Sequence, residues 1–283
     1  MSCIIRRMTR DEVDFAVEQA AKEGWNPGLE DARVFYETDP EGFLIALLDD
    51  KPVGCISAVS YGKDFAFIGF FIVLEEFRGQ GYGVQLGRAA LARLKGTRVM
   101  GVDGVLAQQE NYERAGFQFA YSNIRYEHKI AAVFLAGQTT AIFPVSSLDL
   151  DKVIAYDRQC FPADRKVFLE KWLFMKNAKA YGWAEKGQLK GYGVIRKCGM
   201  GYRIGPLFAD SETIAQDLYF QLASSVQPPE RVYWDIPEAN PAGLRLAKAL
   251  GLQPVFKTAR MYLGPQPEIQ LQKVFGVTSF ELG

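Results

Sequence analysis

Histidine is almost missing from this chain of 283 residues, which carries a single one, His128. The four cysteines, Cys3, Cys55, Cys160 and Cys198, stand far apart and form no Cys-x-x-Cys pair. A zinc centre needs several N or S ligands at close spacing, so no metal is expected. Cysteines so scattered read as small core residues with free thiols, the usage of a reducing, cytoplasmic compartment. Charge of one sign is missing too, since 33 basic residues face 33 acidic ones. Nucleic-acid binding rests on a basic surplus that displaces counterions, and no nucleic-acid partner is expected. Long apolar runs are also lacking. The longest, Phe65 to Leu74, is about half of the ~20 residues that span a bilayer, and no membrane partner is expected. The opening Met1-Ser2-Cys3-Ile4-Ile5-Arg6-Arg7 has no sustained apolar region, so a secretory signal is not expected either.

What remains is the balance of a folded protein, 48% hydrophobic and 23% charged residues, over a length that suits one large or two ordinary domains. Self-comparison favours two. Ile68-Gly69 returns as Ile204-Gly205, Gly116-Phe117-Gln118 as Gly251-Leu252-Gln253, Arg125 as Arg260, Pro27 as Pro162 and Gly54 as Gly191, all at offsets of 135 to 137. Both halves open with a short strand (Cys3–Arg7; Ala141–Val145) and then a capped helix, with Thr9 and Glu12 at capping-box spacing and Ser147 ahead of Asp149 and Asp151. A second helix, three strands, and then helix, strand, helix and strand follow in each half. Asp49-Asp50-Lys51-Pro52 and Lys186-Gly187-Gln188 supply matching turns. The expected fold is α/β (α+β): two tandem domains, residues 1–130 and 141–283 joined by a linker at 131–140, each a mixed, partly antiparallel sheet flanked by helices.

The segment from Phe67 to Val84 carries the chemistry. A β-branched and aromatic run reads as a buried strand, ends at Glu75-Glu76, and passes into Arg78-Gly79-Gln80-Gly81-Tyr82-Gly83 and an amphipathic helix. Glycines let backbone N–H groups approach an anion, and a helix start adds unpaired donors and the positive end of its dipole. This is a cradle for pyrophosphate. A nucleotide P-loop would need Gly-Lys-Ser/Thr here, and the spacing differs from the G-x-G-x-x-G of dinucleotide folds. A merely flexible loop is the alternative.

Arg78, Gly81 and Gly83, in an Arg/Gln-x-x-Gly-x-Gly/Ala pattern after an apolar strand, resemble motif A of the GNAT acetyltransferase superfamily. Tyr112-Glu113-Arg114-Ala115-Gly116-Phe117 is similar to that family's Tyr-Glu-x-x-Gly-Phe motif B. The second half resembles a diverged copy, and the whole chain resembles tandem-domain bacterial acetyltransferases with a degenerate second domain.

The resemblance implies acetyl-CoA as cosubstrate, transfer to a primary amine of a small molecule, amino acid or peptide, and a monomer or homodimer. It implies a strand, Phe71-Ile72-Val73, lying along the pantetheine arm with a backbone N–H on the thioester carbonyl. It places Arg78, Gly79, Gln80, Gly81, Tyr82, Gly83 and Val84 on the phosphates and Tyr112 as the acid for the departing thiolate, with Asn111 or Gln108 a candidate polar contact in place of the family's Asn. It puts the acceptor against the loop of Trp25 and Asn26. The Asn usual in motif B is Val105 here. The base stays open among Glu75, Glu76, Asp103 and a water chain. In the second half Ala209-Asp210-Ser211-Glu212 replaces the glycine loop with carboxylates, and Ala247 stands in the slot of Tyr112. Asp235, Glu238 and Asn240 are candidates there for a cationic group. A non-catalytic acyl-CoA sensor is the competing reading.

Overall fold

The computed structural model describes residues 3–133 and 139–283. The first half runs β1 (Cys3–Arg7), α1 (Arg10–Lys22), α2 (Asp31–Thr38), β2 (Phe43–Leu48), β3 (Lys51–Ser60), β4 (Phe65–Val73), α3 (Tyr82–Arg93), β5 (Val99–Val105), α4 (Gln109–Arg114) and β6 (Gln118–Lys129). The second runs β7 (Ile142–Pro144), α5 (Leu150–Asp157), α6 (Lys166–Trp172), β8 (Ala178–Glu185), β9 (Gln188–Lys197) and β10 (Tyr202–Ala209). It closes with α7 (Glu212–Ala223), β11 (Arg231–Pro237), α8 (Pro241–Ala249), β12 (Gln253–Leu263) and a short β13 (Val274–Gly276). The linker expected at 131–140 includes residues 134–138, which lie outside the described residues.

Local chemistry sets most boundaries. Thr9 and Glu12 form the reciprocal capping box at α1. At α5 the cap is Asp149, which accepts from Asp151 N, and not Ser147, whose hydroxyl donates to Pro144 O. Asp49 and Asp50 (φ 49° and 62°) and Lys186 and Gly187 (φ 51° and 75°) take the left-handed backbone that two-residue hairpins require.

All strands join one sheet, in the order β1-β2-β3-β4-β5-β12-β6-β11-β10-β9-β8-β7, with β13 beside β10. The repeats trade their last strands. β6 pairs antiparallel with β11 of the second half, and β12 enters between β5 and β6. The exchange leaves neither half with a bare inner edge. Over one face, α1, α2, α5 and α6 cover a single core shared by both halves, in which Phe35, Phe43 and Phe70 pack with Leu169, Trp172, Tyr192 and Phe280. Phe35 stacks on Trp172 across the junction, with centroids 5.8 Å apart. The opposite face has two separate cores, Leu86 and Ala90 of α3 with Leu94 just past its end over the first half, and α7 and α8 over the second. No helix among the described residues is long and apolar enough to cross a membrane.

Candidate active site

The site begins with a fault in β4. This strand pairs parallel with β5 from Phe65↔Val99 to Ile68↔Val102 and no further. Phe70 has φ 44°, and the register with β3 shifts opposite it, between Cys55 and Ser57. A bulge of this kind inserts one residue and bends the strand. β5 meanwhile continues along β12 to Val105. A slot therefore opens in the sheet, with 69–73 on one side and 103–105 on the other.

At the outer end of β4 a short turn at Glu75–Phe77 leads to the glycine loop. Gly79 (φ 76°) and Gly81 (φ 84°) are left-handed, and a Cβ added to either would meet nothing within 4 Å. Gly81 caps α3 without a side-chain acceptor, and the first turn carries no acid. The first N–H groups of α3 and its positive dipole end are thus free for an anion. The Arg78 guanidinium donates from Nε to Val73 O at 2.9 Å, meets Glu23 at the end of α1, and leaves half its surface exposed. Gln80 donates to Glu76 O, the Tyr82 ring lies edge-on to Phe77, and Val84 is exposed.

Along the α3 side of the slot the structure brings together Phe71, Val73, Gly83 and Tyr112. The Phe71 ring and a Val73 methyl lie against Gly83. Tyr112 packs edge-on to Phe71 and Phe117, with centroids 6.4 and 5.8 Å away. Its ring also fills the space a Gly104 Cβ would take, 2.6 Å from that position. Burial raises the Tyr112 hydroxyl above its ordinary range, so it keeps its proton at neutral pH. Ile72 points the other way, into the shared core. Asn111 is exposed and tied to Gln108 and Arg114 on its own helix.

On the opposite face, the half-buried Trp25 packs on the shared core, and its carbonyl accepts from Arg125 Nη1 at 2.7 Å. Asn26 is buried. Its amide donates to Met200 O and accepts from Met200 N, each at 2.8 Å, so it fastens the loop to the β9–β10 turn. Glu75 and Glu76 are exposed. Asp103 is buried and held by Arg260 at 2.7 and 2.6 Å and by Asn123 at 2.7 Å. Burial raises its carboxyl, and Arg260 and Asn123 only partly offset this.

Asp235 already carries cations, but they are this chain's own. Arg125 meets it at 2.7 and 3.0 Å, and Arg203 at 2.9 and 2.6 Å. Burial pushes the Asp235 carboxyl up, yet the two guanidinium groups hold it down at about 2. This corrects its reading as a site for a substrate cation. Glu238 is likewise paired with Lys257, and Asn240 caps α8 while donating to Gln272 O and Val274 O. The ion pairs obey the strand exchange: Arg125 on β6 reaches Asp235 on β11, and Arg260 on β12 reaches Asp103 on β5. The repeat match of Arg125 with Arg260 was their trace in the sequence.

The second half has the same slot, filled. β10 and β11 pair in parallel only to Ile204↔Trp234, and then β13 enters between them, with Leu207↔Gly276 on one side and Val277 N donating to Asp235 O on the other. At the mouth, Ser211 caps α7 through Ile214 N, and Asp210 is bound by Lys190, Lys273 and Tyr156. Beyond β13 the chain runs on to Gly283 with every residue buried. A Cβ added at Gly205 would fall 2.4 Å from Thr278 O, and one at Gly69 would fall 2.1 Å from Glu281 O. Sequence reasoning missed this tail, whose one signal was the matched glycines, Gly69 and Gly205.

Known proteins resemble this chain in sequence and in fold. The Acetyltransferase (GNAT) family matches residues 8–117 and an Acetyltransferase (GNAT) domain matches residues 153–276, together most of the chain. Holothin acyltransferase of Pseudoalteromonas sp. (strain SANK 73390) is 28% identical over 277 residues, 96% of this chain and 92% of that protein. A solved Pyrococcus horikoshii protein described as a candidate acetyltransferase has the same fold, with TM-score 0.84, 23% identity and coverage of 99% and 96%. So does a tandem GNAT protein from the clavulanic acid biosynthesis pathway, with TM-score 0.65, 16% identity and coverage of 94% and 100%. With two matched domains, one open slot and one filled slot, the chain belongs to the GNAT superfamily as a tandem-domain acyltransferase with a degenerate second domain.

Proposed function

We propose that the chain transfers an acetyl group from acetyl-CoA to the primary amine of a small molecule, amino acid or peptide, at one site per chain in the first half. The observation that carries this reading is the contrast between the two slots. In the second, the strand Val274–Gly276 and the side chain of Ser211 occupy the gap and the helix end. That strand displays how an extended, amide-bearing segment fits such a gap, by ladder hydrogen bonds to its walls. In the first half no strand or side-chain cap among the described residues fills the gap or the helix end, which suits a ligand of that shape with an anionic tail.

Bound there, acetyl-CoA supplies an acyl carbon activated as a thioester. Arg78, the Gly79–Gly83 backbone, Gln80, Tyr82 and Val84 hold its phosphate end. The Phe71–Val73 backbone orients the pantetheine arm and offers an N–H to the thioester carbonyl. Tyr112 delivers its retained proton toward the sulfur. Trp25 walls the acceptor side, and Asn26 keeps that loop in place.

Calorimetry with acetyl-CoA and a CoA-release assay over an amine panel test the reading. One acetyl-CoA bound per chain and release that depends on the amine are expected. Tight binding with no transfer to any amine supports the sensor reading instead.

A further inference from the structure

The acceptor face of the sheet carries a buried row of polar groups with hydrogen-bonding capacity left over. Ser57 lies opposite Gly69 on β3, and Asn123 lies opposite Thr258 on β6 and β12. Arg203 comes from β10, and Glu281 comes from the tail resting on Gly69. All five are at most 1% exposed. Among the described residues, Ser57 Oγ, Asn123 Oδ1, Thr258 Oγ1, Arg203 Nη1 and both carboxylate oxygens of Glu281 have no hydrogen-bond partner. Each unsatisfied buried group costs about 1–3 kcal/mol, and a charged one more, so their gathering on one face beside the slot needs a cause. The spare capacity is mostly that of acceptors, which suits a ligand rich in N–H donors.

We propose that Glu281, brought to the first half's site by the tail of the second, receives the acceptor as an ammonium ion and takes its proton. This rests on the acetyl-transfer reading above. Asp103 and Asp235 share the face, but arginine guanidinium groups already bind both oxygens of each. Among the described residues Glu281 makes one ion pair, with Arg203 Nη1 at 3.6 Å, and that arginine makes its hydrogen bonds to Asp235. The Glu281 Cα lies 2.9 Å from the position of a Gly69 Cβ, one residue before the bulge that opens the slot. The acceptor class is therefore amines that are ionised at neutral pH. Their nitrogen loses two protons overall: one passes to Glu281, and the other balances the proton Tyr112 gives to sulfur. The N–C bond forms and the C–S bond breaks.

Glu281→Gln and Glu281→Asp in the full chain test this. The measurements are acetyl-CoA affinity by calorimetry and amine kcat and KM from about pH 6 to about pH 9. Among the described residues the other charged groups along this face are Arg203, Asp235, Arg125, Asp103, Arg260 and Arg196, with Asp31 and Asp157 on the helices that cover it and Arg165 just ahead of α6; the Tyr61 hydroxyl also meets the tail, donating to Leu282 O. The expected result for Glu281→Gln is unchanged acetyl-CoA affinity with amine kcat/KM lower by roughly 100-fold or more. The dependence of rate on pH differs between Glu281→Gln and the wild type, because the amine of the variant must shed its proton to solvent. Glu281→Asp keeps the wild-type profile shape at a reduced rate. Retention of most activity in Glu281→Gln overturns the role, and so does parallel loss of acetyl-CoA and amine binding. If Glu281→Gln does not fold, Glu281→Asp decides, and wild-type kcat/KM in it overturns the role. A wild-type protein that transfers to no amine overturns the acetyl-transfer reading and this role together, whereas an active wild type with an active Glu281→Gln overturns this role alone.

Discussion

Replacing Gly81 with alanine separates the cofactor grip from fold stability. The residue is left-handed, at φ 84°, and its missing Cβ faces open space. The substitution creates no clash and costs only the strain of a left-handed alanine, about 1–2 kcal/mol. For a chain of this size that lowers the melting temperature by roughly 2–8 °C. The new methyl stands where pyrophosphate oxygens would approach the α3 N–H groups. Losing one charge-assisted hydrogen bond there, about 1.5–3 kcal/mol, weakens acetyl-CoA binding roughly 10- to 150-fold. Gly251 supplies the control, since it too is left-handed, at φ 71°, with nothing within 4 Å of an added Cβ, but it lies in the second half beyond α8. Gly251→Ala should show a similar drop in melting temperature and no change in affinity. Thermal melts beside titration calorimetry on both variants decide. Acetyl-CoA bound by Gly81→Ala with wild-type affinity, or lost equally by Gly251→Ala, refutes the assignment of the loop.

Three further outcomes follow from the geometry. Gly69→Ala drives a methyl into the tail backbone, 2.1 Å from Glu281 O; overpacking of about 1–3 kcal/mol should lower stability, and activity assays should show amine transfer falling while acetyl-CoA affinity holds. Tyr112→Phe keeps the ring against Phe71, Phe117 and Gly104; steady-state kinetics should show kcat lower by roughly 100-fold at neutral pH with acetyl-CoA affinity unchanged. Asp235→Asn leaves Arg125 buried without its carboxylate partner and Arg203 with Glu281 at 3.6 Å, and urea titration should register a loss of about 3–5 kcal/mol. Because the folded Asp235 sits at about 2, against about 3.9 when unfolded, its stabilisation is complete above that unfolded value and fades as pH falls toward the folded one. Acid unfolding of Asp235→Asn should lack this component of the limb.

Much of the fold could be read from the sequence because its signals are local. The Thr9–Glu12 box, the paired turns at Asp49–Asp50 and Lys186–Gly187, and the apolar run of β4 each act over a few residues. The glycine loop was legible for the same reason. The strand exchange was not, since β6 and β12 have the same pattern whichever half they close, and the carboxylates that their arginines meet, Asp235 and Asp103, lie far away in the sequence. Asn26 looked like a pocket residue because an amide on a loop can serve either purpose; its partner, Met200, lies in the other half of the chain. The tail escaped notice because Val274–Gly283 has no motif, and its importance comes from what it covers.

The traded strands also set a timetable for synthesis. β5 leaves the ribosome long before β12, which alone fills the place between it and β6. At about 5–20 residues per second, the half that is translated first waits roughly 7–30 s for its missing strand. Direct pairing of β5 with β6 is the competing product during that interval. The active site is thus encoded early and completed last.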